Sequence, residues 1–195
     1  MITFHSVRAA APLAALLASL LAVPGLHAAE VAGVQIDERL KVGNSELVLN
    51  GAGLRSKLFV KVYVGALHVP QKTSTPAAVL DSDAPRRMTL RLLRDIDADT
   101  LYGALRDGLR DNCGEAELAN LKPQVDQFAD IMRRVGNARN GDTLALDFTA
   151  EGVAVSFNNE PRGKVAGKPF ARALMLVWLG DRPVDASLKK ALLGS

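Results

Sequence analysis

The sequence predicts an α+β domain with helices packed on an antiparallel sheet. Three observations lead there. Apolar residues alternate with a period of two in Leu58–Ala66, Thr143–Phe148 and Val153–Phe157, the spacing that puts side chains on alternate faces of a strand. Leu101, Leu105 and Leu109 recur every fourth residue, which lays them on one stripe of a helix. The segments come as a block of strands, a block of helices, a meander and more helices, not as a strict strand–helix alternation, and that order separates α+β from α/β. No repeat or linker divides the chain, so residues 30–195 are expected to form one domain.

Met1 to Ala29 is expected to lie outside that fold. Arg8 gives it a basic start. Ala9–Val23 is apolar apart from Pro12 and Ser19, Pro24 and Gly25 break the run, and Leu26-His27-Ala28 offers a small-residue cleavage site. This is the pattern of a secretory signal peptide. The run is shorter than the roughly 20 residues a membrane-spanning helix needs, and no comparable run follows. The mature protein is therefore expected to be soluble, without a stable membrane span, and periplasmic if the host is bacterial.

The elements follow in order. Val31–Ile36 and Glu46–Leu49 read as strands joined at Gly43-Asn44, a hairpin turn. Asn50–Gly53 reads as a glycine-rich turn that delivers Arg55 to a long strand, Leu58–Val69. On that strand the even positions from Leu58 to Ala66 are all apolar and read as the core face. The odd face carries Tyr63 beside a gap at Gly65. Thr73–Leu80 suits a short helix and Arg87–Leu93 a strand. Asp97 is placed to cap a helix running to Asn112. Asn112 continues the leucine stripe, where a buried amide needs a partner; a cap near Gly114 is favoured over a ligand contact. Glu115–Val135 is helical with an interruption at Pro123. Thr143–Phe148, Val153–Phe157 and Gly163–Val165 form a meander. Lys168–Leu179 reads as a helix buried nearly all round, with Pro169 in its first turn. A last short helix starts at Asp185 or Ser187 and ends at Leu193.

Composition excludes several functions. Lys and Arg number 24 against 21 Asp and Glu. Only Arg8 of these lies in the leader, so the mature domain keeps a small positive charge without a basic block, and nucleic-acid binding has little support. Cys113 is the only cysteine, so no intrachain disulfide forms, and a cysteine beside an apolar stripe is read as packing. Without the leader His68 is the only histidine, so metal binding is poorly supported, and a Ser–His–Asp arrangement would have to recruit His68 with no nucleophile motif near it. The glycines of Asn50–Gly53 lack the Lys-Ser/Thr pair and the helix of a phosphate loop. Arg55 is the strongest candidate, because a guanidinium forks onto a carboxylate or oxyanion. Tyr63 supplies a phenol able to donate to the same oxygen.

Asn50–Pro70 (NGAGLRSKLFVKVYVGALHVP), Arg106–Cys113 (RDGLRDNC) and Leu176–Leu193 (LVWLGDRPVDASLKKALL) together resemble the chalcone isomerase-like superfamily, especially its bacterial exported members. The resemblance covers most of residues 30–194. It implies a curved antiparallel sheet with helices packed on one face. In the enzymes, an arginine after a G-A-G turn steadies the substrate oxyanion; Arg55 stands at that position, and the asparagine lining the cleft falls on Asn112. Elsewhere the chain departs from the enzyme pattern. Tyr63 stands where the enzymes use threonine, Leu105 where a tyrosine holds the ketone-bound water, and Val177 at about the position of a late threonine or serine. The segment between Arg55 and Phe59 is also shorter.

Losing those polar groups removes hydrogen bonds of about 0.5–1.5 kcal/mol each and makes the cleft more apolar. An arginine and a tyrosine above an apolar slot resemble instead the fatty-acid-binding branch of the superfamily. The resemblance thus favours binding of a small amphipathic carboxylate, most simply a fatty acid, over chalcone cyclisation. Arg55, Tyr63, Asn112, Leu105, Leu109 and Val177 are the expected ligand-binding residues, and no cofactor or metal is implied. Two alternatives stay open: an isomerase or lyase acting on a conjugated ketone, with Arg55 as electrophile and Tyr63 as proton donor, and a non-catalytic domain that binds another envelope protein.

Overall fold

The computed structural model describes residues 28–195. The expected leader, Met1–Ala29, lies outside the described residues except for Ala28 and Ala29. Those two open β1 (Ala28–Val31), which pairs with β2 (Val34–Asp37) in a separate hairpin. The sequence suggested one strand over Val31–Ile36. Ala32 and Gly33 both take left-handed backbone and turn the chain there instead. The Gly43-Asn44 turn joins β3 (Arg39–Val42) to β4 (Ser45–Lys57).

β5 (Val60–Val69), β6 (Arg86–Leu92), β7 (Thr143–Thr149), β8 (Gly152–Phe157) and β9 (Glu160–Ala166) complete a seven-stranded sheet, β3 to β9 in chain order. Every neighbouring pair is antiparallel, and the sheet curls into a half-barrel. The helices are α1 (Pro76–Leu80), α2 (Ala98–Asn112), α3 (Glu115–Asn120), α4 (Lys122–Val135), α5 (Lys168–Leu179) and α6 (Ala186–Leu192). α5 lies along β7–β9, α4 against β9, and α6 across β4 and β5, while α2 packs on α4 and α5. The interruption expected at Pro123 falls at Leu121, between α3 and α4, so Pro123 sits in the first turn of α4, where its missing N–H costs nothing. No described helix is long and apolar enough to cross a membrane.

Each apolar run buries as its period requires. Met88, Leu90 and Leu92 of β6, Leu144, Leu146 and Phe148 of β7, and Val153, Val155 and Phe157 of β8 meet Phe128, Phe170 and Trp178 in the main core. On β5 the face read as core is not the one that meets the main core. The odd residues Tyr63, Leu67 and Val69 belong to this main core. The even residues Val64 and Ala66 pack with Ile36 and Leu49 in a smaller cluster under the β1–β2 hairpin. Both faces of the strand are covered, so apolarity alone did not tell which one meets the helices.

The glycines of Asn50–Gly53 do not make a turn. They lie inside β4, with Gly51 opposite Leu67 and Gly53 opposite Gly65. Their purpose is the close approach of α6. A Cβ on Gly51 would stand 2.0 Å from the Ala191 carbonyl oxygen, and one on Gly53 2.6 Å from the Ala191 Cβ. Asn50 forms the bulge that precedes them. Its buried amide donates to the Leu192 carbonyl (2.6 Å) and the Thr73 carbonyl (3.0 Å) and accepts from the Thr73 N–H (2.7 Å), tying α6 and the β5–α1 loop to the sheet.

Candidate functional site

The hairpin register settles where Arg55 and Tyr63 stand. They are direct cross-strand partners of β4 and β5, so both project from the helix-covered face. The Arg55 guanidinium carbon lies 5.5 Å from the Tyr63 ring centroid, within cation–π range. Among the described residues this guanidinium has no carboxylate partner within ion-pair distance. Tyr63 is 4% exposed, and its hydroxyl oxygen accepts a hydrogen bond from the indole N–H of Trp178 at 2.9 Å. Burial pushes the phenol pKa up to about 12, with the Arg55 charge offsetting part of the rise. The phenol therefore stays neutral, and its O–H remains free to donate because the indole occupies only an acceptor site.

Trp178 was not among the residues singled out from the sequence. It sits within a continuous apolar helix, where periodicity reports burial and not a polar contact. Its signal was its indole N–H, which when buried needs an acceptor.

Arg55 and Tyr63 border a cleft of about 540 Å³ between the β4–β5 hairpin, the β6–α2 connection and the first half of α2. Val60, Val62, Ile96, Leu101, Ala104, Leu105 and Val184 give it apolar walls. Lys57 and Arg94 add cations, and Asp95, Asp97 and Asp107 add carboxylates. These carboxylates have partners of their own. Asp95 accepts from the Asn140 N–H, Asp97 caps α2 through the Thr100 N–H, and Asp107 pairs with Arg106. The Asp185 carboxylate is also near, accepting from the Ser56 N–H at 3.3 Å, but none of these carboxylates pairs with the Arg55 guanidinium at ion-pair distance, and the size of the cleft lies in the range of small-molecule pockets.

Of the other expected residues, Leu105 lines this cleft and three do not. Leu109 is buried behind it, at a separate hollow with Leu118 and Val125. Val177 is fully buried on α5 and packs against Gly108, where a Cβ would come within 2.8 Å of it. Asn112 closes the end of α2: its amide donates to the Gly108 carbonyl (2.9 Å) and the Arg182 carbonyl (2.7 Å) and accepts from the Arg182 N–H (3.0 Å). It borders a hollow shared with Arg172 and Arg182, away from Arg55. The structure thus brings together Arg55, Tyr63 and Leu105, and gives Asn112 a structural tie between α2 and the α5–α6 loop.

The remaining reactive side chains are poorly placed for chemistry. Cys113 is buried, and desolvation, with Glu117 nearby, pushes its thiol up to about 11. His68 is 2% exposed, with Nε2 2.7 Å from the Asp37 carbonyl oxygen. It faces a hollow of about 760 Å³ between the β1–β2 hairpin and the far face of the sheet. That hollow is larger than the Arg55 cleft, but Arg87, the less exposed of the two arginines that line it, is neutralised by a two-pronged pair with Asp147. Among the described residues no three His, Cys, Asp or Glu side chains are grouped to hold a metal ion.

Among solved structures, a fatty-acid binding protein of Arabidopsis thaliana is similar, with a TM-score of 0.64 over 83% of this chain and 92% of that one. Sequence identity is 14%, so the likeness carries the fold. No curated protein matches the chain. The sequence pattern of the chalcone isomerase-like family matches residues 28–194, nearly the whole described chain and every element of the half-barrel. The chain belongs to the chalcone isomerase-like family.

Proposed function

We propose that this protein binds a small amphipathic carboxylate, most simply a fatty acid, in the Arg55 cleft, and that it does so in the periplasm after loss of its leader. The observation that carries this is the Arg55 guanidinium, without a carboxylate partner and stacked over a neutral buried phenol, at the edge of an apolar cleft. A carboxylate would take two hydrogen bonds from the guanidinium and a third from the Tyr63 O–H. The acyl chain would lie against Val62, Leu101 and Leu105, each buried CH₂ contributing about 0.8 kcal/mol. The fatty-acid-binding neighbour agrees with this choice of ligand without deciding it. Cyclisation of an enone has less support, because Leu105 and Val177 hold no polar group and the phenol is too weak an acid to ionise near neutrality.

The test is a fluorescence titration of dodecanoate and of its methyl ester, using Trp178, the sole tryptophan, as reporter. The acid should bind and the uncharged ester bind at least about tenfold more weakly, the difference expected for charge-assisted hydrogen bonds. Equal affinity for the two would remove the carboxylate from the proposal.

A further inference from the structure

Among the described residues the exposed large apolar side chains are three in a row: Leu58 (88% exposed), Phe59 (102%) and Val60 (45%). They form the tip of the β4–β5 hairpin, a two-residue turn closed by the Lys57–Val60 pair. Leu58 takes left-handed backbone, with φ of 57°, at the turn position where glycine is ordinarily chosen. Turn geometry therefore argues against leucine there, and solvent argues against phenylalanine beside it. Exposed apolar residues scattered singly need no explanation, but a contiguous group marks an interaction surface. The flanking residues, Lys57 and Lys61, are exposed and have no carboxylate partner among the described residues. Leu58 and Val60 also line the Arg55 cleft, with Lys57 and Arg94 beside them.

From this we propose that the hairpin tip docks the protein on an anionic lipid surface, with Leu58 and Phe59 entering the acyl boundary and the lysines meeting the headgroups. An apolar tip ringed by cations fits the two layers of such a surface, the hydrocarbon and the charge above it. A docked tip sets the cleft against the acyl layer, so that a fatty acid passes between bilayer and cleft without crossing water. The transfer role rests on the fatty-acid proposal; the docking itself does not.

The experiment is flotation of the purified protein with phosphatidylcholine vesicles and with vesicles one-third phosphatidylglycerol, alongside dodecanoate titration in vesicle-free buffer. Neither Phe59 nor Lys61 lines the cleft. The protein should float with the anionic vesicles and be released by salt. Phe59→Ser should weaken partitioning by about tenfold or more and Lys61→Gln by about fivefold, with dodecanoate binding unchanged in both. Failure of the unsubstituted protein to float, or equal flotation of Phe59→Ser, overturns the docking proposal. Concentration-dependent self-association that Phe59→Ser abolishes, in place of flotation, assigns the tip to a second copy of the chain and also overturns it. Flotation without dodecanoate binding keeps the docking and defeats the cleft proposal alone.

Discussion

Deleting a single oxygen, Tyr63→Phe, separates the parts of the Arg55–Tyr63–Trp178 cluster. The ring that Arg55 covers at 5.5 Å is kept, as is nearly all the packing volume. What is lost is the acceptor for the Trp178 N–H, whose side chain is 1% exposed. A buried donor left without a partner costs about 1–3 kcal/mol. For a domain of this length each kcal/mol lowers the melting temperature by about 2–4 °C, so the drop should be about 2–12 °C. Calorimetry of Tyr63→Phe, Trp178→Phe and the double variant measures the coupling directly. Once Trp178 is phenylalanine there is no donor to strand, so Tyr63→Phe should then cost far less. A cost that is the same in both backgrounds would refute the hydrogen bond as the reason for the pairing. The same substitution should weaken dodecanoate by about tenfold or more, one hydrogen bond to a charged acceptor.

Other outcomes follow from the packing. Gly51→Ala puts a methyl 2.0 Å from the Ala191 carbonyl oxygen, so α6 must shift, and the loss should be about 1–3 kcal/mol; at Gly103, within α2 and open to space, the same change should stabilise by about 0.5–1 kcal/mol. Denaturant titration of the two variants reads both signs. His68 titrates below its usual range because burial disfavours the charged ring. The unfolded chain therefore binds a proton first, and stability should fall as pH drops below about 6.5, by at most about 1.4 kcal/mol per pH unit for this group; His68→Gln should flatten that slope in melts between neutral and mildly acid pH. Asn112→Ala removes two hydrogen bonds between α2 and the Arg182 segment and one within α2 to the Gly108 carbonyl, and should destabilise by about 1–3 kcal/mol, with dodecanoate affinity unchanged.

Much of the fold was legible because it rests on local signals. Asp97 accepts from the Thr100 N–H as its sequence position suggested, the leucines of α2 bury as a stripe, and α5 runs over the expected residues, Lys168–Leu179. What was not legible depends on what lies across from a residue. A glycine pair that turns a chain and one that admits a helix look the same in sequence, and only Ala191 and Leu192, some 140 positions away, show which applies at Gly51. The alternation on β5 marked two faces but not their partners, since the β1–β2 hairpin covers the one read as the core face. At the site, Arg55 and Tyr63 were identified from their chemistry and the family resemblance. Trp178 and the exposed Leu58-Phe59 tip were not, because a buried polar contact and a fully exposed phenylalanine are both invisible to periodicity.

The carboxylate clamp at Arg55 is most directly tested by native mass spectrometry of the protein incubated with dodecanoate, alongside Arg55→Ala. The charge-assisted bonds involved correspond to about a 10- to 100-fold difference in affinity. A one-to-one dodecanoate complex that Arg55→Ala fails to form, in a variant that still melts cooperatively, is the predicted result. No complex with the unsubstituted protein, or one of equal abundance in Arg55→Ala, would contradict it.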